Sequence, residues 1–295
     1  MSQGKKPGRW AADLTVLLNA AFPTNRFPVD VEALALDYSR QCWPDDPILK
    51  VVGESLPGFE GALVPMGRPR KGWGILYNND GVSDGRRRFT VAHELAHYLM
   101  HRHLMSEDGV RCDETSVSRR DGKGIEKEAD EFAAALLMPL DDMRRQIAPK
   151  DKPDLTALST CADRYGVSLL AVTLRWLEYT ERRSLLVVSR DGYALWARSS
   201  EPALRSGRFI RTSGEPFEIP AASCAGMEDF SEEARYGVFL PAHVWFPEPV
   251  EEVSFHSDRY DQVLTILHLG KEVRGYRMDE PDVEDTFDRF LRERP

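Results

Sequence analysis

The stretch RFTVAHELAHYLMHRH, residues 88–103, holds four of the chain's seven histidines. Two of them, His93 and His97, stand four residues apart with Glu94 beside the first, an HExxH pattern. On an α-helix, positions i and i+4 lie one turn above one another, so two imidazoles can reach one ion at about 2 Å. Glu94 is rotated off that line, where its carboxylate can act as a general base toward water. Around both rings the sequence is apolar, with Val91, Leu95 and Leu99 nearby. Buried imidazole nitrogens need partners, and a metal supplies one.

Three sources compete for the third ligand. His101 continues the i, i+4 series but lies about 12 Å along the axis from His93, too far to share an ion with it. His103 falls on the last position of the HExxHxxGxxH spacing, but Met100 stands where that motif has the glycine that turns the chain back. The third source is the downstream segment IEKEADEF, which offers Glu126 and Glu128. A carboxylate delivered from a second helix gives the His₂Glu set of catalytic zinc sites, with one position open for water. Helical angle alone does not choose between the two glutamates. Glu126 has Asp130 one turn later, where it can accept the free N–H of a ligand histidine, whereas Glu128 has Phe132 there. Glu126 is therefore the expected ligand, Asp130 its supporting neighbour, and Glu128 the alternative ligand. Zn²⁺ suits such a set, and so do Mn²⁺ and Fe²⁺.

The elements that must position these groups are visible in the periodicity. WAADLTVLLNAAF and VDVEALALDYSR read as two helices divided by the turn PTNRFP. GALVPMG and KGWGILYNND read as strands, the second ending in the loop NNDGVSDG that leads into the HExxH helix. The strand WGILYN could offer an edge to an extended substrate. A polar, glycine-containing segment from His103 to Gly124 reads as a loop, and IEKEADEFAAALLMP as a strong helix stopped near Pro139. LTALSTCADRYGVSLLAVTLRWLEY reads as two helices joined at YGVS, an arrangement like a helix-turn-helix. Beyond it SLLVVS, YALWAR and VEEVSFHSDRYDQVLTILHL read as hairpin strands, with a last charged helix near Val283–Arg292. The expected fold class is α+β: a domain carrying the HExxH site over 1–148, a helical HTH-like segment over 149–183 and an acidic α+β domain over 184–295.

Bulk properties exclude several classes. No run approaches a membrane span and no signal-peptide core is present, so a cytoplasmic protein with no membrane partner is expected. Four scattered cysteines without a CxxC fit a reducing compartment. The net charge of −9 falls entirely in residues 201–295, with 11 Lys+Arg against 20 Asp+Glu, and an acidic surface repels phosphate. The second helix of the HTH-like pair offers only Arg175 to a nucleic acid and carries Glu178 after it, so direct nucleic-acid binding is not expected. The run Arg86-Arg87-Arg88 either steers an acidic partner or is a solvated cluster at the helix entry.

The residues RRRFTVAHELAHYLMHR followed by IEKEADEFAAALLMP resemble the ImmA/IrrE family of metallopeptidases. FPVDVEALALDY, GFEGALV and WGILYNND resemble that family's N-terminal portion, so the resemblance spans residues 25–180 or so. It implies a zincin-type endopeptidase with His93, His97 and Glu126 as ligands and Glu94 as general base. It also implies a protein substrate, an HTH-type repressor or antitoxin-like regulator cleaved to switch on phage, mobile-element or stress-response genes. The competing readings are a zincin-fold protein that grips a repressor or toxin without cutting it, and a DNA-binding regulator built on YGVSLLAVTLRW. Tyr77 and Tyr165 are the open choices for an oxyanion donor.

Overall fold

The computed structural model describes residues 4–56, 58–67, 69–104, 110–112, 122–258 and 260–271. In chain order its elements are helices α1 (Pro7–Ala21) and α2 (Val31–Cys42), then strands β1 (Ile48–Glu54), β2 (Gly61–Met66) and β3 (Gly72–Asn78). Next come α3 (Asp84–Ala96), β4 (Val110–Cys112), α4 (Gly122–Leu137), α5 (Leu140–Gln146), α6 (Leu155–Tyr165) and α7 (Leu169–Leu177). The rest are β5 (Ser184–Arg190), β6 (Tyr193–Ser199), α8 (Glu201–Arg205), α9 (Glu232–Tyr236), β7 (Val238–Leu240), β8 (Val250–Ser257) and β9 (Gln262–Leu269). The class is α+β, as the sequence predicts. The helix expected near Val283–Arg292 and residues 105–109 and 113–121 of the polar loop lie outside the described residues.

The chain forms two compact units, one from the residues up to 140 with 162–168, the other from 141–161 with those from 169 onward. In the first, the sheet order is β1-β3-β2-β4. β3 pairs in parallel with β1, Ile48 opposite Trp73, and antiparallel with β2, Gly61 opposite Tyr77. Both sides of β3 are thus occupied, and the idea that WGILYN offers a free edge is overturned. β1 escapes a periodicity reading because ILKVVGE buries only Ile48 completely and exposes Leu49 and Lys50. It is placed instead by tertiary bonds: buried Ser39 on α2 accepts the Ile48 N–H at 2.9 Å, and Pro47 O accepts the Trp73 N–H at 2.8 Å. Asp30 caps α2 by accepting the Ala33 N–H at 3.0 Å. Trp73 and Ile75 of β3, Leu63 of β2, Leu95 of α3 and Phe132 of α4 are fully buried; α3 packs on β2 and β3, and α4 packs on α3. Gly166, at φ +60, ends α6 in the left-handed conformation, and its carbonyl accepts Arg88 Nη1 at 2.9 Å.

The second unit is an antiparallel sheet of order β6-β5-β9-β8-β7. Leu185 and Val187 of β5, with Leu267 and Leu269 of β9, face a core that includes Ile210, Ile219, Leu240, Trp245 and Val250. His268 alternates to the opposite face, where its ring meets Trp176 of α7 edge-on at 5.7 Å and its Nδ1 lies 3.1 Å from Ser184 Oγ. Glu252 is wholly buried but fully engaged, accepting from Trp245 Nε1, the Ala225 N–H and Ser254 Oγ at 2.7–2.9 Å. Such bonds offset the cost of removing a carboxylate from water. Tyr179 donates to Ile147 O at 2.8 Å, tying the end of α5 to the segment after α7.

Burial, then the charges of Lys152 and Arg182, push the His268 pKa down to about 3. The unfolded chain binds a proton here as pH falls below about 6.5 while the folded chain does not, so folding stability must fall between about pH 6.5 and 3. We expect His268→Gln to reduce that acid loss by up to about 1.4 kcal/mol per pH unit in this window. Urea unfolding at pH 7 and pH 4 measures it; equal losses in both proteins would assign the acid sensitivity elsewhere.

Candidate metal centre

α3 begins where Ser83 Oγ accepts the Arg86 N–H at 3.2 Å, with Asp84 in the first turn complementing the helix dipole. The arginine run at this entry is used internally. Arg86 pairs with Glu60, Arg87 lies 3.6 Å from Asp84 and 3.8 Å from Glu32, and Arg88 holds the Gly166 carbonyl. Each of the three thus has a partner within the chain, with Arg86 and Arg87 remaining partly exposed at the helix entry. Val91, Ala92, Leu95 and Ala96 bury one face of α3, and Ala129, Phe132, Ala133 and Leu136 bury the facing stripe of α4. α4 packs against both α3 and α1.

This packing brings His93, His97 and Glu126 together, with one ligand-type atom from each lying within 4.8 Å of the others. His93 Nε2 is 3.0 Å from His97 Nε2 and 3.0 Å from Glu126 Oε2, and His97 Nε2 is 3.5 Å from Glu126 Oε1. Bonds of 2.0–2.1 Å at tetrahedral angles place ligand atoms about 3.3 Å apart, and these separations bracket that figure. Two imidazole nitrogens and one carboxylate oxygen are also the donor chemistry of a catalytic zinc centre. The residues fit a divalent cation.

The electrostatics agree with the geometry. Burial opposes charge on His93, but its hydrogen bonds to Asp130 and Glu126 outweigh it and raise its pKa to about 10. Burial likewise pushes the Glu126 carboxyl up, but hydrogen bonds from His93 and His97 hold it well below the usual carboxylate range. Burial, with the charge of His93 beside it, moves His97 the other way, downward. The cluster therefore stabilises one positive charge between its rings and carboxylates, where a metal ion would sit.

The other sequence candidates fall into distinct places. Asp130 Oδ1 accepts from His93 Nδ1 at 2.9 Å, so His93 presents Nε2 to the cluster. Glu94 is fully buried on α3. Glu128 lies away from the cluster, 3.0 Å from His101 Nε2, and His101 Nδ1 is 3.0 Å from His97 Nδ1. His103 is exposed in the 3₁₀ turn Arg102–Leu104 that follows. Tyr165 packs edge-on against Phe27 at 4.9 Å, and the Tyr77 ring lies against Gly53. Both tyrosines are thus used in packing.

Residues 45–177, which contain all of these groups, match the model of a peptidase family described as the IrrE N-terminal-like domain. This segment is an ImmA/IrrE-type metallopeptidase domain. No curated protein matches the chain. Within the peptidase domain, two features had no signal in the sequence. One is the contact between Glu128 and His101, which depends on how α4 is turned against α3. The other is Gly61 on β2, whose hydrogen faces Glu94.

A Cβ at Gly61 would stand 2.5 Å from Thr90 Cγ2 and 2.8 Å from Glu94 Oε1. The peptidase domain thus lets β2 run against the Glu94 carboxylate at a distance only glycine permits. Gly61→Ala is expected to cost about 1–3 kcal/mol through overpacking, read by urea unfolding. A variant as stable as the wild type would show that β2 can retreat from α3.

Proposed function

We propose that the chain is a zinc-dependent endopeptidase that cleaves a protein regulator, an HTH-type transcriptional repressor or antitoxin-like protein, to switch on phage, mobile-element or stress-response genes. The observation that carries the peptidase reading is the convergence of His93, His97 and Glu126 beside the buried Glu94 in a metallopeptidase domain. The repressor substrate is supported by the resemblance of both helix motifs to the ImmA/IrrE family. The C-terminal third is acidic, and Arg175, the one basic side chain on the second helix of the HTH-like pair, is buried and paired with Glu178, which speaks for a protein partner over a nucleic acid. Among the described residues no helix is long and apolar enough to cross a membrane.

In this reading His93, His97 and Glu126 hold the ion, with Zn²⁺ the first choice and Mn²⁺ or Fe²⁺ compatible with the same donors. When bound, such an ion supplies Lewis-acid chemistry, acidifying water and polarising a carbonyl oxygen. Glu94 takes the proton from the attacking water and delivers it to the leaving amine nitrogen. Asp130 keeps the His93 ring oriented with Nε2 toward His97 and Glu126. Residues 1–148 then carry the chemistry, 149–183 form the HTH-like helical segment, and 184–295 form the acidic α+β part.

Glu94→Gln keeps the ligands and removes the base, so turnover of a cleavable repressor should fall at least about 100-fold while metal content and repressor binding persist. Chelation should abolish cleavage by the wild type, and returning Zn²⁺ should restore it. Repressor binding without cleavage by the metal-loaded wild type would instead identify a non-catalytic binding protein.

A further inference from the structure

Beyond the ligands, the structure contains a second support whose chemistry mirrors that of Asp130. At Ala96 the α-helix gives way to a π-helical turn, His97–His101, and wide turns of this kind recur at functional sites. The turn sets the His101 ring beside that of His97, centroids 5.1 Å apart, with both residues at most 3% exposed. Their Nδ1 atoms are 3.0 Å apart, a distance that calls for one proton between them, with one nitrogen donating and the other accepting.

Glu128 decides which. Its Oε2 lies 3.0 Å from His101 Nε2, and an ionised carboxylate only accepts, so His101 Nε2 carries a hydrogen. Neutral His101 then offers a lone pair at Nδ1, and His97 Nδ1 must donate to it. That leaves His97 Nε2 with its lone pair toward His93 Nε2 and Glu126. Asp130 imposes the same tautomer on His93 directly; Glu128 imposes it on His97 through one intervening imidazole.

We propose that His101 and Glu128 are positioning residues that lock His97 in the metal-binding tautomer, an inference that rests on His93, His97 and Glu126 being the ligand set. Reversing the pair would place a hydrogen on His97 Nε2, where it would block the donor atom. Outer hydrogen-bond partners of this kind typically change metal affinity by about 10- to 100-fold.

The test is the zinc affinity of the full chain, measured with Zn²⁺ alone by competition against a chromophoric chelator at fixed pH. Glu126→Ala should lose stoichiometric binding. His101→Phe and Glu128→Ala should each weaken binding about 10-fold or more. Glu128→Gln, whose amide oxygen still accepts, should recover most of the loss, and the double variant His101→Phe/Glu128→Ala should be no weaker than His101→Phe alone. In the zinc-loaded wild type, imidazole ¹⁵N shifts should report His97 protonated at Nδ1. Wild-type affinity in both His101→Phe and Glu128→Ala, with binding still lost in Glu126→Ala, would overturn the positioning role alone. Zinc binding absent from the wild type, or unchanged by Glu126→Ala, would overturn the ligand reading, and this inference with it. Should His101→Phe fail to fold, Glu128→Ala, at a half-exposed position, carries the comparison.

Discussion

Two imidazole nitrogens and a carboxylate oxygen face one another across 3.0–3.5 Å, and the first unit is arranged around keeping them there. Electron-rich atoms at that distance repel unless a cation or proton lies between them. The close approach of α3 and α4 must therefore be sustained by something else, and the apolar stripe of Ala129, Phe132, Ala133 and Leu136 supplies it. Alanines at the crossing let the helix backbones approach, while Phe132 and Leu136 bury enough surface to stabilise the pairing. The same stripe carries Glu126 and Asp130 at its border, so packing and the delivery of both carboxylates to the histidines are one geometric event.

Around that cluster the hydrogen bonds run outward in a consistent sense. Each histidine presents Nε2 inward and gives Nδ1 to a partner: Asp130 for His93, His101 for His97. The two rings differ electrostatically, His93 being raised by its carboxylate neighbours and His97 lowered by burial and by His93 itself. That asymmetry suits a site holding one net positive charge. Glu94 stands on the same helix but off the ligand line, hemmed by Thr90 and by β2 at Gly61, so its carboxylate is confined by packing.

The second unit solves a different problem. β5, one of its three inner strands, is buried on both faces, and SLLVVS accordingly reads as an unbroken buried run with no alternation. The long connection between β6 and β8 is held to the sheet by Glu252, and by Glu248, which takes a bidentate pair from Arg183 and a further bond from Arg208. Acidic residues here thus do internal work, so the negative charge of this third of the chain is only in part a surface property.

Much of this was legible in one dimension. HExxH places two imidazoles and a carboxylate on fixed faces of any helix that forms, because 3.6 residues per turn leaves no choice. The spacing of Glu126 and Asp130, and the apolar stripe beside them, likewise follow from helical periodicity, as do α1, α2 and the hairpin strands β8 and β9. What periodicity cannot convey is the rotation and depth of one helix against another. Only the tertiary structure puts Glu128 on His101, threads β1 beside β3 through Ser39 and Pro47, closes both sides of β3, and presses Gly61 against Glu94. These are contacts between residues distant in the chain, set by how whole surfaces fill space, and no local pattern encodes them.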